Sequence, residues 1–168
     1  MYIDNPFYNH RYSVRFSLAN DVLYGINLHQ VMTSTLTSGS VAGFFSENFV
    51  AEVLSKVADK APANTRGHDL VSKSKKRPIE VKAMSQYGVK LCQSNNVGAG
   101  RKIDRNAFNA DAPTKDFIVV DTTRITDGEL DFVILEGSRV AESGPTLTFK
   151  KAKANFFETG EPIEITNW

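Results

Sequence analysis

Apolar residues recur along this chain with two different periods, and each period predicts a different element. Between Val41 and Asp59 they follow helical spacing after the capping residue Ser40, which predicts a helix. Residues 117–121 and 130–135 are short apolar runs typical of strands, and Asp127-Gly128 between them is hairpin chemistry. The pattern therefore predicts a long helix together with hairpin-connected strands.

Weaker patterns fill the rest of the chain. They predict a strand from Tyr12 to Leu18, a short helix capped by Asn20 and carrying Val22, Leu23, Ile26 and Val31, a loop with one or two helical turns over residues 94–111, a basic helix from Phe149 to Phe157 that ends at Gly160, and a strand-like tail up to Trp168. This order is typical of an α/β or α+β fold with a mixed central sheet flanked by helices. No repeat, low-complexity segment or linker divides the 168 residues, so we expect one domain.

Two short predicted strands carry charged residues in a regular arrangement. Asp69 follows Gly67 and His68 on the first strand, and Glu80 and Lys82 lie on the second. Alternate residues of a strand share a face, so Glu80 and Lys82 point the same way. Two carboxylates beside one ammonium suit a divalent metal ion with an activated water, which is the chemistry of phosphodiester hydrolysis.

Composition and net charge limit the classes of protein and the cellular compartments that fit this chain. An apolar content of 41% and a charged content of 23% are ordinary for a globular protein, and a net charge of +1 gives no argument for nucleic acid by itself. The single cysteine, Cys92, cannot form an internal disulfide, and no signal peptide or membrane-spanning apolar run is visible. We therefore expect a cytoplasmic protein.

The order of these elements resembles the core of the PD-(D/E)XK nuclease superfamily. Gly67-His68-Asp69 stands where that family has Pro-Asp, and Glu80-Val81-Lys82 stands as its Glu-x-Lys triplet. The segment 43–54, GFFSENFVAEVL, is similar to the family's first core helix, which often carries a Glu near its start. The resemblance covers roughly residues 40–122 and implies a restriction-endonuclease-like core.

The resemblance also implies a role for each residue of the motif. Asp69 and Glu80 are expected to hold Mg²⁺, for which Mn²⁺ is expected to substitute, and the backbone carbonyl of Val81 is a further expected ligand. Lys82 is expected to orient and activate the attacking water and to neutralise charge that develops on the phosphate. Cleavage is therefore expected in Mg²⁺ and not in EDTA.

The predicted helix supplies a fourth catalytic candidate. Glu47 matches the family's helix carboxylate and is expected to complete the metal shell, directly or through water. Glu52 competes with it, because its angular position falls among Val41, Phe45 and Phe49. The pattern match favours Glu47 but leaves the choice between the two open.

Two further groups of residues are candidates for DNA contact. The loop after the catalytic strand is rich in Asn, Gln and Arg, which read base edges in the major groove, and the basic C-terminal helix suits contact with phosphates. The loop residues are Gln93, Asn95, Asn96, Arg101 and Lys102, and the helix residues are Lys150 and Lys151. For both groups an ordinary solvated surface is the alternative.

The resemblance implies a small Mg²⁺-dependent endonuclease that cuts double-stranded DNA at a specific sequence, most similar to a type II restriction enzyme. Such enzymes usually act as homodimers, for which residues 1–36 are the expected dimer element, and a DNA methyltransferase acting on the same site would fit this function. A structure-selective nuclease of the same superfamily, such as a junction resolvase or a phage or repair nuclease, is one alternative. A non-catalytic nucleic-acid-binding module with the same fold is another.

Overall fold

A mixed β-sheet with helices on both faces forms the centre of the molecule. The computed structural model describes residues 2–15, 22–23, 26–27, 39–62, 65, 67–93 and 96–165. In these residues the strands are β1 (Arg11–Arg15), β2 (Val22–Leu23), β3 (Ile26–Asn27), β4 (Ala58–Lys60), β5 (Leu70–Ser72), β6 (Pro78–Met84), β7 (Val89–Lys90), β8 (Asp116–Asp121), β9 (Glu129–Glu136), β10 (Thr146–Leu147) and β11 (Ile163–Ile165). The α-helices are α1 (Gly39–Val53), α2 (Arg105–Asp111), α3 (Gly137–Ser143) and α4 (Phe149–Ala152).

Seven of the strands form the central sheet, in the order β11-β1-β9-β8-β6-β5-β4. The pairs β6–β8 and β1–β11 are parallel, and the other neighbouring pairs are antiparallel. Every residue of the central strand β8 is buried, which explains its continuous apolar run in the sequence. The fold class predicted from the sequence, an α/β core with a mixed central sheet flanked by helices, is confirmed.

The two faces of the sheet are covered by different helices, and this decides where the charged residues of β6 lie. Phe45 and Phe49 of α1 belong to the same buried cluster as Ile79 and Val81 of β6. Met84 of the same strand belongs to the cluster on the opposite face, with residues of α2, α3 and α4. Because side chains alternate along a strand, those at positions 80 and 82 point to the face opposite α1.

The helix predicted from Val41 to Asp59 is shorter than expected. It ends at Val53, and Ala58–Lys60 forms the edge strand β4, which pairs antiparallel with β5. Ala58 is buried, whereas Asp59 and Lys60 are exposed, so the segment contributes one apolar residue to the core. Ladder hydrogen bonds to β5 outweigh the weak helical preference of this stretch.

The short helix predicted after Asn20 is wrong, because its apolar residues lie on two strands. Leu23 pairs with Ile26, and Val22 pairs with Asn27, in the antiparallel pair of β2 and β3. Asn20 and Val31 lie outside the described residues.

The remaining sequence-based elements agree with the structure where it describes them. The strand predicted from Tyr12 is present as β1, and residues 16–18 lie outside the described part of the chain. The predicted hairpin is β8–β9, with Gly128 in the left-handed region at φ 75°. The basic helix is α4, continued by a π-helical turn over Lys153–Phe157, and the tail contains β11, with Trp168 outside the described residues. The predicted loop of residues 94–111 contains α2.

Helix α3 was not predicted from the sequence. It begins at Gly137, directly after β9, where a Cβ atom would lie 1.9 Å from the backbone oxygen of Ala112. This close approach of two backbones requires glycine and allows the chain to turn at once onto the sheet. No helix in the described part of the chain is long and apolar enough to cross a membrane.

Candidate active site

The four residues predicted to be catalytic come from three elements and share one electrostatic environment. Asp69 precedes β5, Glu80 and Lys82 lie on β6, and Glu47 lies on α1. Burial raises the pKa of the Glu47 carboxyl, Asp69 and then Glu80 raise it further, and Lys60 and then Lys82 act in the opposite direction. The fold therefore brings together residues that are up to 35 positions apart in the sequence, from 47 to 82.

Asp69 occupies the point where the ladder between β5 and β6 ends. Its amide donates to the carbonyl of Ile79 at 2.9 Å, and its Oδ2 accepts from the amide of Val81 at 2.7 Å. The side chain of Asp69 thus takes the place of the next backbone acceptor. Because the amide and carbonyl of one strand residue point to the same side, the Val81 carbonyl faces Asp69 as well.

Glu80 is 6% exposed, and both of its carboxylate oxygens are hydrogen-bonded. Lys82 Nζ donates to Oε1, and Gln93 Nε2 donates to Oε2 at 2.7 Å. A buried carboxylate needs such partners, since leaving it unpaired would cost several kcal/mol. Gln93 and Lys82 together hold the Glu80 side chain in one place.

The backbone carbonyl of Gly67 connects this arrangement to the strand that carries Asp69. It accepts from Gln93 Nε2 at 2.7 Å and from Lys115 Nζ at 3.0 Å. The Lys115 ammonium is buried and also donates to Asp111 Oδ2 at 3.0 Å. Gly67 has a φ of +92°, and a Cβ there would lie 3.1 Å from Gln93 Oε1, so glycine suits this position on both counts. Gln93 therefore links Glu80 to the segment just before Asp69.

The site carries more negative than positive charge. Burial raises the pKa of Asp69, and the neighbouring Glu80 raises it further, while the Val81 amide, Lys82 and His68 act in the opposite direction. With Glu47 included, three carboxylates face two ammonium groups, the partly buried Lys82 and the exposed Lys60. A bound cation would relieve this repulsion.

The donor set fits a hard divalent cation by its chemistry. Carboxylates and a backbone carbonyl are the oxygen ligands that Mg²⁺ prefers. In the described residues, Glu47 and the Oδ1 atom of Asp69 accept no hydrogen bond, so they are free to bind a cation. Within that same part of the chain no three His, Cys, Asp or Glu side chains are close enough to hold an ion between them, so ligation requires rotation of at least one side chain.

An open cleft of about 350 Å³ lies on the Glu47 and Asp69 side of the site. Glu47, Asp69 and His68 line it, and Lys60 lies at its wall. Glu52, the competing helix carboxylate, is exposed and does not line the cleft. The structure therefore places Glu47, and not Glu52, beside the β-strand carboxylates.

The residues predicted to read DNA bases are placed in different environments. Gln93 is 8% exposed and Asn96 is 2% exposed, and Asn96 Oδ1 accepts from the backbone amide of Gln93 at 3.0 Å. Base reading by these two residues does not fit their burial, because their polar groups are bonded within the protein. Arg101 and Lys102 are exposed, and Asn95 lies outside the described residues. Lys150 and Lys151 of α4 are also exposed.

Sequence reasoning missed the supporting roles of Gln93 and Lys115. Both act through contacts across the fold, with Gly67 lying 26 residues from Gln93 and 48 from Lys115. The one local signal was a lysine directly before the most apolar strand, a position where its burial is not expected.

Comparison of the chain with protein-family models, with curated proteins and with solved structures finds no match. The function is therefore inferred from the chemistry of the site.

Proposed function

We propose that this protein is a Mg²⁺-dependent endonuclease that hydrolyses double-stranded DNA at a specific sequence, in the manner of a type II restriction enzyme. The observation that carries the proposal is that Glu47, Asp69, Glu80 and Lys82 lie near the start of β5, close enough to influence one another electrostatically. Three carboxylates and a partly buried ammonium, beside an open cleft, supply the groups for a divalent cation and a phosphate once at least one carboxylate rotates.

Each residue has a distinct part in this proposal. Asp69, Glu47 and Glu80, with the Val81 carbonyl, would hold Mg²⁺, which when bound acidifies water and polarises the phosphate. The Lys82 ammonium, paired with Glu80, donates to the attacking water or to a phosphate oxygen as negative charge grows. Gln93 keeps Glu80 oriented when Lys82 leaves it for the substrate.

The excess of carboxylates also explains why a cation is required. A phosphodiester brings further negative charge to a site where Glu47 and Asp69 already have raised pKa values because of burial and neighbouring carboxylates. Lys82 and the exposed Lys60 do not balance that charge. The proposal therefore predicts that the protein without a divalent cation binds DNA weakly at this site.

Plasmid digestion tests the proposal directly. Purified protein should cut in Mg²⁺ or Mn²⁺, should not cut in EDTA, and should bind with little cleavage in Ca²⁺. Lys82→Ala should retain DNA binding and lose about 10²- to 10³-fold in cleavage rate, the usual effect of removing one donor to the developing charge. Full activity in EDTA, or normal cleavage by Lys82→Ala, would contradict the proposed mechanism.

A matched pair on α1 separates a site effect from a general charge effect. Glu47→Gln should abolish most of the cleavage, whereas Glu52→Gln, on the same helix but exposed and outside the cleft, should leave it unchanged. Discrete bands indicate sequence-specific cutting, and preference for branched junctions indicates the structure-selective alternative. Binding without nicking under all conditions indicates a non-catalytic module.

A further inference from the structure

A second and larger cleft lies among the helices that cover the Glu80 face of the sheet. It has a volume of about 630 Å³ and lies between α2, the segment from Ala141 to Leu147, and α4 with its π-helical turn. Its walls present two cationic side chains, Arg105 and Lys151, and two amides, Asn109 and Asn155. We call it the α2–α4 cleft.

The cations of the α2–α4 cleft are uncommitted. Among the described residues, the side chains of Arg105 and Lys151 form no ion pair and no hydrogen bond, and Glu142 is the one acidic residue that lines the cleft. All four polar side chains of the walls are exposed, so they are available to a ligand. Guanidinium, ammonium and amide groups are the donors that proteins use to bind phosphate oxygens.

The α2–α4 cleft is close to the catalytic residues through a short chain of contacts. Pro145, which lines the cleft, accepts hydrogen bonds from the amides of Leu91 at 2.8 Å and Cys92 at 3.2 Å. The next residue, Gln93, donates to Glu80. Consecutive Cα atoms are about 3.8 Å apart, so the rim of the cleft lies within roughly 15 Å of the Glu80 carboxylate.

A separation of up to roughly 15 Å is within the span of a few nucleotides of one DNA strand. One strand of duplex DNA has a phosphate about every 3.4 Å along the helix axis, so a phosphate a few nucleotides from the cut would reach the α2–α4 cleft. The exposed Arg101 and Lys102 lie just before α2 in the sequence, with the exposed Asp104 between them and Arg105.

From these observations we infer that the α2–α4 cleft binds the sugar–phosphate backbone of duplex DNA on one side of the cleaved bond. Arg105 and Lys151 contact the phosphate oxygens, and Asn109 and Asn155 add neutral donors. This inference rests on the proposed nuclease function, because DNA is taken as the substrate of the site around Glu80. It also narrows the prediction for α4, since Lys151 lines the cleft and its neighbour Lys150 does not.

The two lysines provide a matched test. Affinity for a fluorescent duplex is measured by anisotropy in Ca²⁺ at several salt concentrations, on two unrelated sequences. Arg105→Ala and Lys151→Ala should each weaken binding about three- to tenfold on both sequences and should lower the slope of log K against log salt by about 0.9. Lys150→Ala should change neither quantity, and Lys151→Arg should restore binding. Thermal melting of each variant checks that it folds as the unmodified protein does.

The inference is overturned if Lys150→Ala and Lys151→Ala weaken binding equally, if Lys151→Ala has no effect, or if the loss is confined to one sequence. It is also overturned if the unmodified protein does not bind duplex DNA. Failure of the nuclease proposal has a different signature, namely binding that depends on Arg105 and Lys151 without cleavage in Mg²⁺.

Discussion

Gln93 is the residue whose replacement tests the organisation of the site most directly. Gln93→Leu keeps a side chain of similar size but removes the amide that donates to Glu80 Oε2 and to the Gly67 carbonyl, both at 2.7 Å. Gly67 keeps Lys115 as a donor, and Glu80 keeps Lys82. The main loss is therefore one hydrogen bond to a buried carboxylate.

The size of the effect follows from that loss. A hydrogen bond to a charged group contributes about 1.5–3 kcal/mol, so the free energy of unfolding should fall by about 2 kcal/mol. Loosening a residue that orients a ligand typically weakens metal affinity about 10- to 100-fold. At a Mg²⁺ concentration of about 100 times the dissociation constant, the unmodified protein gains about 2.7 kcal/mol from binding, and the variant should gain only about 0.4–1.4 kcal/mol.

Urea unfolding with and without Mg²⁺ measures both quantities. The matched control is Gln86→Leu, which makes the same substitution at an exposed position and should alter neither the stability nor the Mg²⁺-dependent gain. If Gln93→Leu loses stability but keeps the full gain from Mg²⁺, Gln93 supports the fold and does not position Glu80. If the unmodified protein gains nothing from Mg²⁺, the metal proposal itself fails.

Three further predictions concern stability. Burial and a neighbouring carboxylate raise the pKa of Asp69, so the folded state binds the proton more tightly and the free energy of unfolding should fall as pH rises above about 4. Asp69→Asn can still accept from the Val81 amide, so in EDTA at pH 7 it should be more stable than the unmodified protein, as measured by urea unfolding. Arg77→Met leaves the buried Asp116 without its cation and should lower the free energy of unfolding by about 3 kcal/mol. Lys76→Met, at the exposed neighbouring position, should leave it almost unchanged, and equal losses for the two variants in urea unfolding would contradict the proposed role of the ion pair. Burial and the hydrogen bond to Asp116 raise the pKa of the Tyr8 hydroxyl, so stability should fall as pH rises above about 10. In thermal melts recorded at increasing pH, the melting temperature of Tyr8→Phe should fall less steeply than that of the unmodified protein.

Local sequence determined the part of the site that depends on a single hairpin. The alternation of β6 puts Glu80 and Lys82 on one face, and the short connection after β5 brings Asp69 next to β6. These relations follow from strand geometry over fewer than 15 residues, so periodicity alone predicted them. The central strand β8 was equally readable, because a strand buried on both faces needs a continuous apolar run.

Tertiary packing decided the choice between Glu47 and Glu52. Both positions are compatible with a helix, and their difference arises only when Phe45 and Phe49 pack onto β6 and bring Glu47 near Asp69, at the start of β5. Sequence spacing specifies which residues share a helix face but not which strand that face meets.

The hydrogen bonds of Gln93 and Lys115 could not be predicted from the sequence for the same physical reason. Gln93 was predicted to face DNA, because an exposed loop and a buried one have the same local composition, and only the contacts with Glu80 and Gly67 distinguish them. Lys115 is buried because Asp111 and the Gly67 carbonyl satisfy its charge, a compensation that exists only in the folded chain. Periodicity thus specified the elements and the motif on adjacent strands, whereas the burial and pairing of distant polar groups depended on which elements pack together.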